Sequence, residues 1–151
     1  MTTYTLRPAT DDDFAFLFGL HRAAMGQYIE TIWGWHDDWQ EEYFRRKFDP
    51  SARQVIQVEG RDAGVVVVEQ RPDEVYLSLI ELLPEFQQRG IGTQIVNDIK
   101  ATAHNAGLPV TLHVLRTNEQ ARRLYERLGF QVIGDEEVRL HMICEPEKES
   151  T

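Results

Sequence analysis

Apolar positions along the chain change their period several times, and each change marks an element. Tyr4 to Arg7 reads as a short first strand ended by Pro8. Thr10 followed by Asp11, Asp12 and Asp13 is a helix start, because the threonine can cap and the acids suit the positive end of the dipole. Phe14, Leu17, Phe18 and His21 then recur at helical spacing. Gly26 to Trp35 interrupts the pattern and is expected to be irregular and rich in aromatics. Trp39, Tyr43 and Phe44 mark a second helix that ends near Asp49-Pro50. From Arg53 the period shortens. Ile56 and Val58 belong to one strand, Val65 to Val68 to the next, and Val75 to Leu83 to a third. Glu59-Gly60-Arg61-Asp62 and Arg71-Pro72-Asp73-Glu74 supply the turns of an antiparallel meander. The third strand is nearly all apolar, which predicts a central strand covered on both faces.

Gly90 to Gly107 returns to the helical period, with Ile91, Ile95, Ile99 and Ala103 on one face. Gly107 can stop that helix and Pro109 blocks its extension. Val110 to Leu115 is another strand. Asn118 can cap a helix whose face holds Ala121, Leu124, Tyr125 and Leu128, closed by Gly129. Gln131 to Ile133 and Val138 to Ile143 are the last strands. The order β-α-α-β-β-β-α-β-α-β-β predicts an α/β (α+β) fold. Its centre would be a mixed, mostly antiparallel sheet of about seven strands flanked by about four helices. Residues 1–144 are expected to form a single domain, and the charged segment 145–151 a disordered tail.

Composition narrows the function classes. The formal net charge of −9 argues against nonspecific nucleic-acid binding, which needs a basic footprint. It suits a cationic substrate, although solubility alone accounts for it too. The single cysteine, Cys144, excludes an intramolecular disulfide and a cysteine-rich metal site, and points to a reducing compartment. Met1 to Arg7 has no apolar signal core, and no apolar run approaches about 18 residues. A cytoplasmic protein with no membrane partner is the expectation. His36 beside Asp37 and Asp38 invites a metal, but nothing else has ligand spacing, so no metal is expected.

The most informative stretch is Leu82-Leu83-Pro84-Glu85-Phe86-Gln87-Gln88-Arg89-Gly90-Ile91-Gly92-Thr93. A strand ends, a short turn follows and a long helix begins. First-turn amides of a helix lack intrahelical acceptors and point outward at the positive end of the dipole. Gly90 and Gly92 carry no Cβ, so a bulky anion can approach the backbone. Arg89 can add charge at the rim, and the Thr93 hydroxyl can donate. Neither the dinucleotide fingerprint nor a Walker A loop is present. The alternative is a strand-to-helix turn that uses glycine only for packing.

Leu82-Leu83-Pro84 followed by Gln87-Gln88-Arg89-Gly90-Ile91-Gly92 resembles the acyl-CoA-binding motif of the GNAT superfamily of N-acetyltransferases. Asn118-Glu-Gln-Ala-Arg-Arg-Leu-Tyr-Glu-Arg-Leu-Gly-Phe130 looks like the second motif of that family. With the matching order of elements, the resemblance covers nearly the whole chain. It implies that the backbone of Leu82 and Leu83 pairs with the pantetheine arm of acetyl-CoA, the co-substrate. Amides from Gln87 or Gln88 through Arg89, Gly90, Ile91, Gly92 and Thr93 would hold the pyrophosphate. Asn118 would contact the cofactor near pantetheine and Tyr125 would face the thioester sulfur. The strands are expected to splay apart near Leu82 and the Val110 to Leu115 strand.

The implied reaction is direct attack of a primary amine on the thioester. The acyl group must be aimed, and the oxyanion needs a donor, for which the free amide of Leu83 is the candidate. Tyr125 is the expected general acid for the thiolate, its phenol at about 10 against about 8.5 for a thiol. For the base, Glu81 near the end of the central strand is the choice, with His113 and ordered water as alternatives. In the family, the region between the first two helices overhangs the acceptor pocket. Tyr28, Glu30 and Trp33 there would bind the amine by cation–π contact and ion pairing, unless these aromatics only pack helices. The acceptor would be a small-molecule or peptide amine. Many relatives pair, so a homodimer is the further partner considered. A non-catalytic acyl-CoA-binding or sensor domain of the same fold is the alternative function.

Overall fold

Seven strands and four α-helices form among residues 3–147, the part of the chain that the computed structural model describes. The end of the expected disordered tail, residues 148–151, lies outside the described residues. The elements run β1 (Thr5–Pro8), α1 (Phe14–Trp33), α2 (Asp37–Lys47), β2 (Gln54–Val58), β3 (Arg61–Gln70) and β4 (Val75–Leu82). They continue with α3 (Ile91–Asn105), β5 (Val110–Leu115), α4 (Glu119–Arg127), β6 (Gln131–Glu136) and β7 (Arg139–Cys144). The strands form one sheet in the order β1-β2-β3-β4-β5-β7-β6. β4 and β5 are parallel, whereas β1 with β2, β2 with β3, β5 with β7 and β6 with β7 are antiparallel. The mixed sheet and the order of elements are those expected. No helix among the described residues is long and apolar enough to cross a membrane.

Three local readings need correction. The stretch from Gly26 to Trp33 is not irregular but the second half of α1. One glycine costs a helix only about 1 kcal/mol, and the residues around Gly26 are otherwise compatible with it. The helix ends instead at Gly34, whose positive φ of 79° bends the chain away while its N–H still bonds the Glu30 carbonyl at 2.9 Å. The turn between β2 and β3 is two residues, Glu59 and Gly60, both with positive φ (53° and 77°). That conformation matches the twist of a hairpin, so β3 starts at Arg61, earlier than expected. β4 is central, as expected, but its faces are not equally covered: Val75, Leu77 and Glu81 are buried, whereas on the other face Tyr76, Ile80 and Leu82 are half-buried and Ser78 is exposed.

The backbone divides into two compact units. The first runs to Val67 and includes Leu79–Ile91. Its core is Ala9, Leu17, Leu20, Val55 and Val65, with Phe16, Phe44, Phe48, Leu79 and Leu83 packed on it. Each fully buried aliphatic side chain contributes about 1.5–3 kcal/mol. Arg7 clamps this unit at its edge. Its guanidinium holds Asp13 at 2.8 Å and Asp62 at 2.9 Å, tying β1 to the start of the first helix and to β3. The second unit comprises Val68–Ser78 and the chain from Gly92. Its buried residues include Ile95, Val96, Val110, Leu112, Phe130, Leu140 and Met142. β5 pairs with β7 along its whole length, from Val110↔Cys144 to Leu115↔Arg139.

Candidate active site

The parallel ladder between β4 and β5 runs only from Val75↔Val110 to Leu77↔Leu112, although both strands continue beyond it. β4 ends at Leu82, and Pro84–Phe86 then make one tight 3-10 turn. Proline suits that position, because its fixed φ opens the turn and it lacks an N–H to leave unpaired. The turn is closed by Phe86 N–H to Leu83 C=O (2.9 Å) and Gln87 N–H to Pro84 C=O (3.1 Å). The Gln87 side-chain amide donates to the Leu82 carbonyl at 2.9 Å. Phe86 is buried as the plug of the turn. The Arg61 and Arg89 guanidinium groups lie over its ring at 5.0 and 5.3 Å from the centroid.

After Gln87 the backbone becomes unusual. Gln88 has φ 61° and Gly90 has φ 82°, both in the left-handed region. For glutamine that conformation costs about 1–2 kcal/mol, so the surrounding turn must impose it. Left-handed residues close together turn successive N–H groups toward one side, the geometry of an anion nest. No atom lies within 4 Å of where a Cβ on Gly90 would sit, so a bulky group can reach the backbone there. Helix α3 begins at the next residue, Ile91, and adds the amides of its first turn. These residues fit a diphosphate. Two details depart from expectation. The Gln87 amide is spent inside the turn, so the nest starts at Gln88. The Leu83 amide is not free: it donates to the Ala63 carbonyl at 2.9 Å, because β3 extends far enough to meet it.

One residue before Leu82, the Glu81 side chain is only 2% exposed, and its Oε2 lies 2.7 Å from Nδ1 of His21 on α1. The reading of Glu81 as a used or paired carboxylate is therefore the one the structure supports. Burying an unpaired carboxylate would cost several kcal/mol, and here the imidazole and the nearby positive charge of Arg53 offset it. Arg53 lies 5.5 Å from the ring centroids of both Phe44 and Phe48, and burial lowers its own pKa. The His21 ring lies 6.0 Å from Trp35 and 5.7 Å from Phe44, and 23% of its side chain remains open to solvent. His21 was not picked out from the sequence as a candidate for the site, although it stands in register with Phe14 and Phe18 on the apolar stripe of α1. A histidine on such a stripe was the available signal.

Tyr125 lies on α4, buried, with the Phe130 ring edge-on at 5.6 Å. Burial pushes its phenol up to about 12. Asn118 caps α4, its Oδ1 accepting from the Ala121 N–H at 3.2 Å. That bond occupies the side-chain oxygen, and the amide –NH2 is the end left for another acceptor. His113, the alternative base, is bound at Nδ1 by the Tyr76 hydroxyl (2.7 Å) and at Nε2 by Glu136 (2.8 Å). Burial raises the Cys144 thiol, which makes it a poor nucleophile.

Of the three residues expected to bind substrate, Glu30 and Trp33 share a stripe of α1, three positions apart, and both are exposed, Trp33 at 54%. Tyr28 is half-buried and lies about 200° round the helix from Glu30, so α1 does not bring the three together. The tryptophan beside His21 is Trp35, whose Nε1–H donates to Asp37 at 2.6 Å.

The chain matches the Acetyltransferase (GNAT) family over residues 17–130, and it belongs to that family. It is 31% identical to a mycothiol acetyltransferase of Acidimicrobium ferrooxidans over 90% of this chain and 45% of that protein. It is 35% identical to a 5-NmdU N-acetyltransferase of Pseudomonas phage PaMx11 over 54% of this chain and 58% of that protein. The chain thus spans about half the length of these curated relatives. Among solved structures, the PaiA N-acetyltransferase of Thermoplasma acidophilum, in complex with coenzyme A, superposes with a TM-score of 0.76. That match has 16% identity and covers 95% of this chain and 99% of the other. The ribosomal-protein-S18-alanine N-acetyltransferase of Escherichia coli superposes at 0.67 with 17% identity, over 98% of this chain and 97% of the other. At such identities these two show the fold alone.

Proposed function

We propose that this chain transfers an acetyl group from acetyl-CoA to a primary amine by direct attack, with His21, paired to the buried Glu81, as its base. That pair, 2.7 Å apart on β4 and α1, is the observation that carries the reading. The nest from Gln88 to Thr93 would hold the diphosphate, and the backbone of Leu82 and the Asn118 side chain the pantetheine arm. Bound acetyl-CoA supplies an activated thioester. In the reaction an N–C bond forms, the C–S bond breaks, the amine loses a proton and the sulfur gains one.

Glu81 accepts the Nδ1–H of His21, which leaves Nε2 as the ring nitrogen that takes the amine proton. The arrangement is that of an oriented imidazole, with a buried carboxylate stabilising the cation that forms. Tyr125 supports the departing sulfur. Its phenol at about 12 is some three to four units above an ordinary thiol. It therefore acts chiefly as a hydrogen-bond donor, releasing its proton late. Glu30 and Trp33 give an ammonium-bearing acceptor an acidic and aromatic patch on α1.

A thiol-release assay with acetyl-CoA across small amines, peptides with free N-termini and lysine peptides tests the proposal. Turnover with at least one amine is expected. Cofactor binding by calorimetry with no turnover on any amine would replace it with the sensor-domain reading.

A further inference from the structure

We propose a second site, for one zinc-like divalent cation, formed by His113, His141 and Glu136 on three strands of the second unit. His113 on β5 and His141 on β7 are direct cross-strand partners. Their rings stack with centroids 4.4 Å apart and 11° between planes. β6 pairs Gly134 with His141, so Glu136, two residues further on, returns to the same face of the sheet. Its Oε2 lies 2.8 Å from Nε2 of His113. One donor atom from each of the three residues falls within 4.8 Å of the other two, the sole such cluster among the described residues. The spacing in sequence hides it, because 23 positions separate His113 from Glu136 and only the register β5-β7-β6 joins them.

The chemistry of the set selects the ion. Two imidazole nitrogens and one carboxylate suit zinc and its neighbours rather than magnesium or calcium, which prefer oxygen alone. Tetrahedral bonds of about 2.1 Å hold ligand atoms about 3.4 Å apart. The remaining adjustment falls on Glu136, whose side chain is 60% exposed and free to turn. His113 has the outer support a ligand needs, since the Tyr76 hydroxyl at 2.7 Å can accept its Nδ1–H and leave Nε2 for the ion. Without an ion the same hydroxyl donates to Nδ1 and His113 pairs with Glu136, so both states satisfy the ring. Nearby charges are mixed. Glu74 lies close enough to interact with His141, though Thr111 and Arg71 also bind it. Arg139 stands two positions before His141 on its face and opposes the cation in part. The ion would staple β6, the last strand of the sheet, to β7 and β5.

The test is calorimetric titration of zinc chloride into the full chain, free of any purification tag and stripped with chelator. One ion per chain with micromolar affinity is expected, with no binding of magnesium. His141→Ala and Glu136→Gln should each weaken zinc binding by about tenfold or more. Cobalt should give a visible d–d band with the natural chain and none with His141→Ala. Zinc should raise the melting temperature of the natural chain only. No saturable binding at about 1 mM zinc, or wild-type affinity in His141→Ala, would overturn the site.

Discussion

Replacing Glu81 by glutamine separates the chemical role of its carboxylate from its structural one. The side chain is 2% exposed, and glutamine keeps its shape. The new amide oxygen can still accept the Nδ1–H of His21, but the –NH2 in place of the other oxygen brings two donors into the buried site. What disappears is the excess of a charge-assisted hydrogen bond over a neutral one, about 1 kcal/mol. Relief of charge burial returns part of that. The buried –NH2 and the loss of the negative charge beside Arg53 add to this, so stability should fall by about 1–3 kcal/mol, a shift of several degrees in melting temperature for a chain of this size. The proposed reaction would lose far more. A neutral amide cannot stabilise the imidazolium that forms as the amine proton leaves. General-base assistance is worth about 10²–10⁴ in rate, or about 3–5 kcal/mol of barrier. Thiol release under saturating acetyl-CoA should show kcat down by about 100-fold or more, while calorimetry shows CoA affinity unchanged. His21→Ala should fall to a similar level. The double variant should be no worse than either single one, because the two side chains act as a unit. A folded Glu81→Gln protein with kcat within about threefold of the natural chain would refute the pair as base.

Three further outcomes follow from the geometry. A Cβ on Gly64 would sit 2.2 Å from the Glu81 carbonyl oxygen and 2.9 Å from the Leu82 side chain. Gly64→Ala must therefore push β4 aside; it should cost about 1–3 kcal/mol and lower kcat with it, and an unchanged melting temperature would contradict the close approach. Hydrogen bonds from Arg7, above all, hold the Asp13 carboxyl down at about 2, from an ordinary 3.8. A depressed acid contributes stability that is complete above about pH 4 and is lost as pH falls through about 2; acid unfolding curves should show about 2 kcal/mol of this, absent in Asp13→Asn. Tyr125→Phe keeps the ring against Phe130 and removes only the hydroxyl. It should lower kcat about 100-fold with CoA affinity little changed, and an equal loss in both measurements would remove Tyr125 from the chemistry.

Much of the candidate site's local structure was legible because its signals are local. The strand-turn-helix from Leu82 to Thr93 is written in consecutive residues: a proline that opens the turn, two glycines and an apolar helical stripe. The Asn118 cap and the α4 face that carries Tyr125 lie within one helical span. Helix α1 was misread at Gly26 because propensity is a weak prior, which helix-compatible neighbours and packing override. The same misreading placed Tyr28 beside Glu30 and Trp33 in a loop, when a helix sends it to another side.

The chain's own order of apolar and polar residues determined the element types, their succession, the mixed sheet and the strand-turn-helix from Leu82 to Thr93, since all of these depend on periods and caps a few residues long. Tertiary structure alone decided which distant groups meet. It turned Glu81 onto His21 across 60 positions, committed the Leu83 amide to Ala63, and brought His113, Glu136 and His141 to one face. The physical reason is that strand register and helix rotation are set by burial of whole faces, and no window of neighbouring residues contains that information.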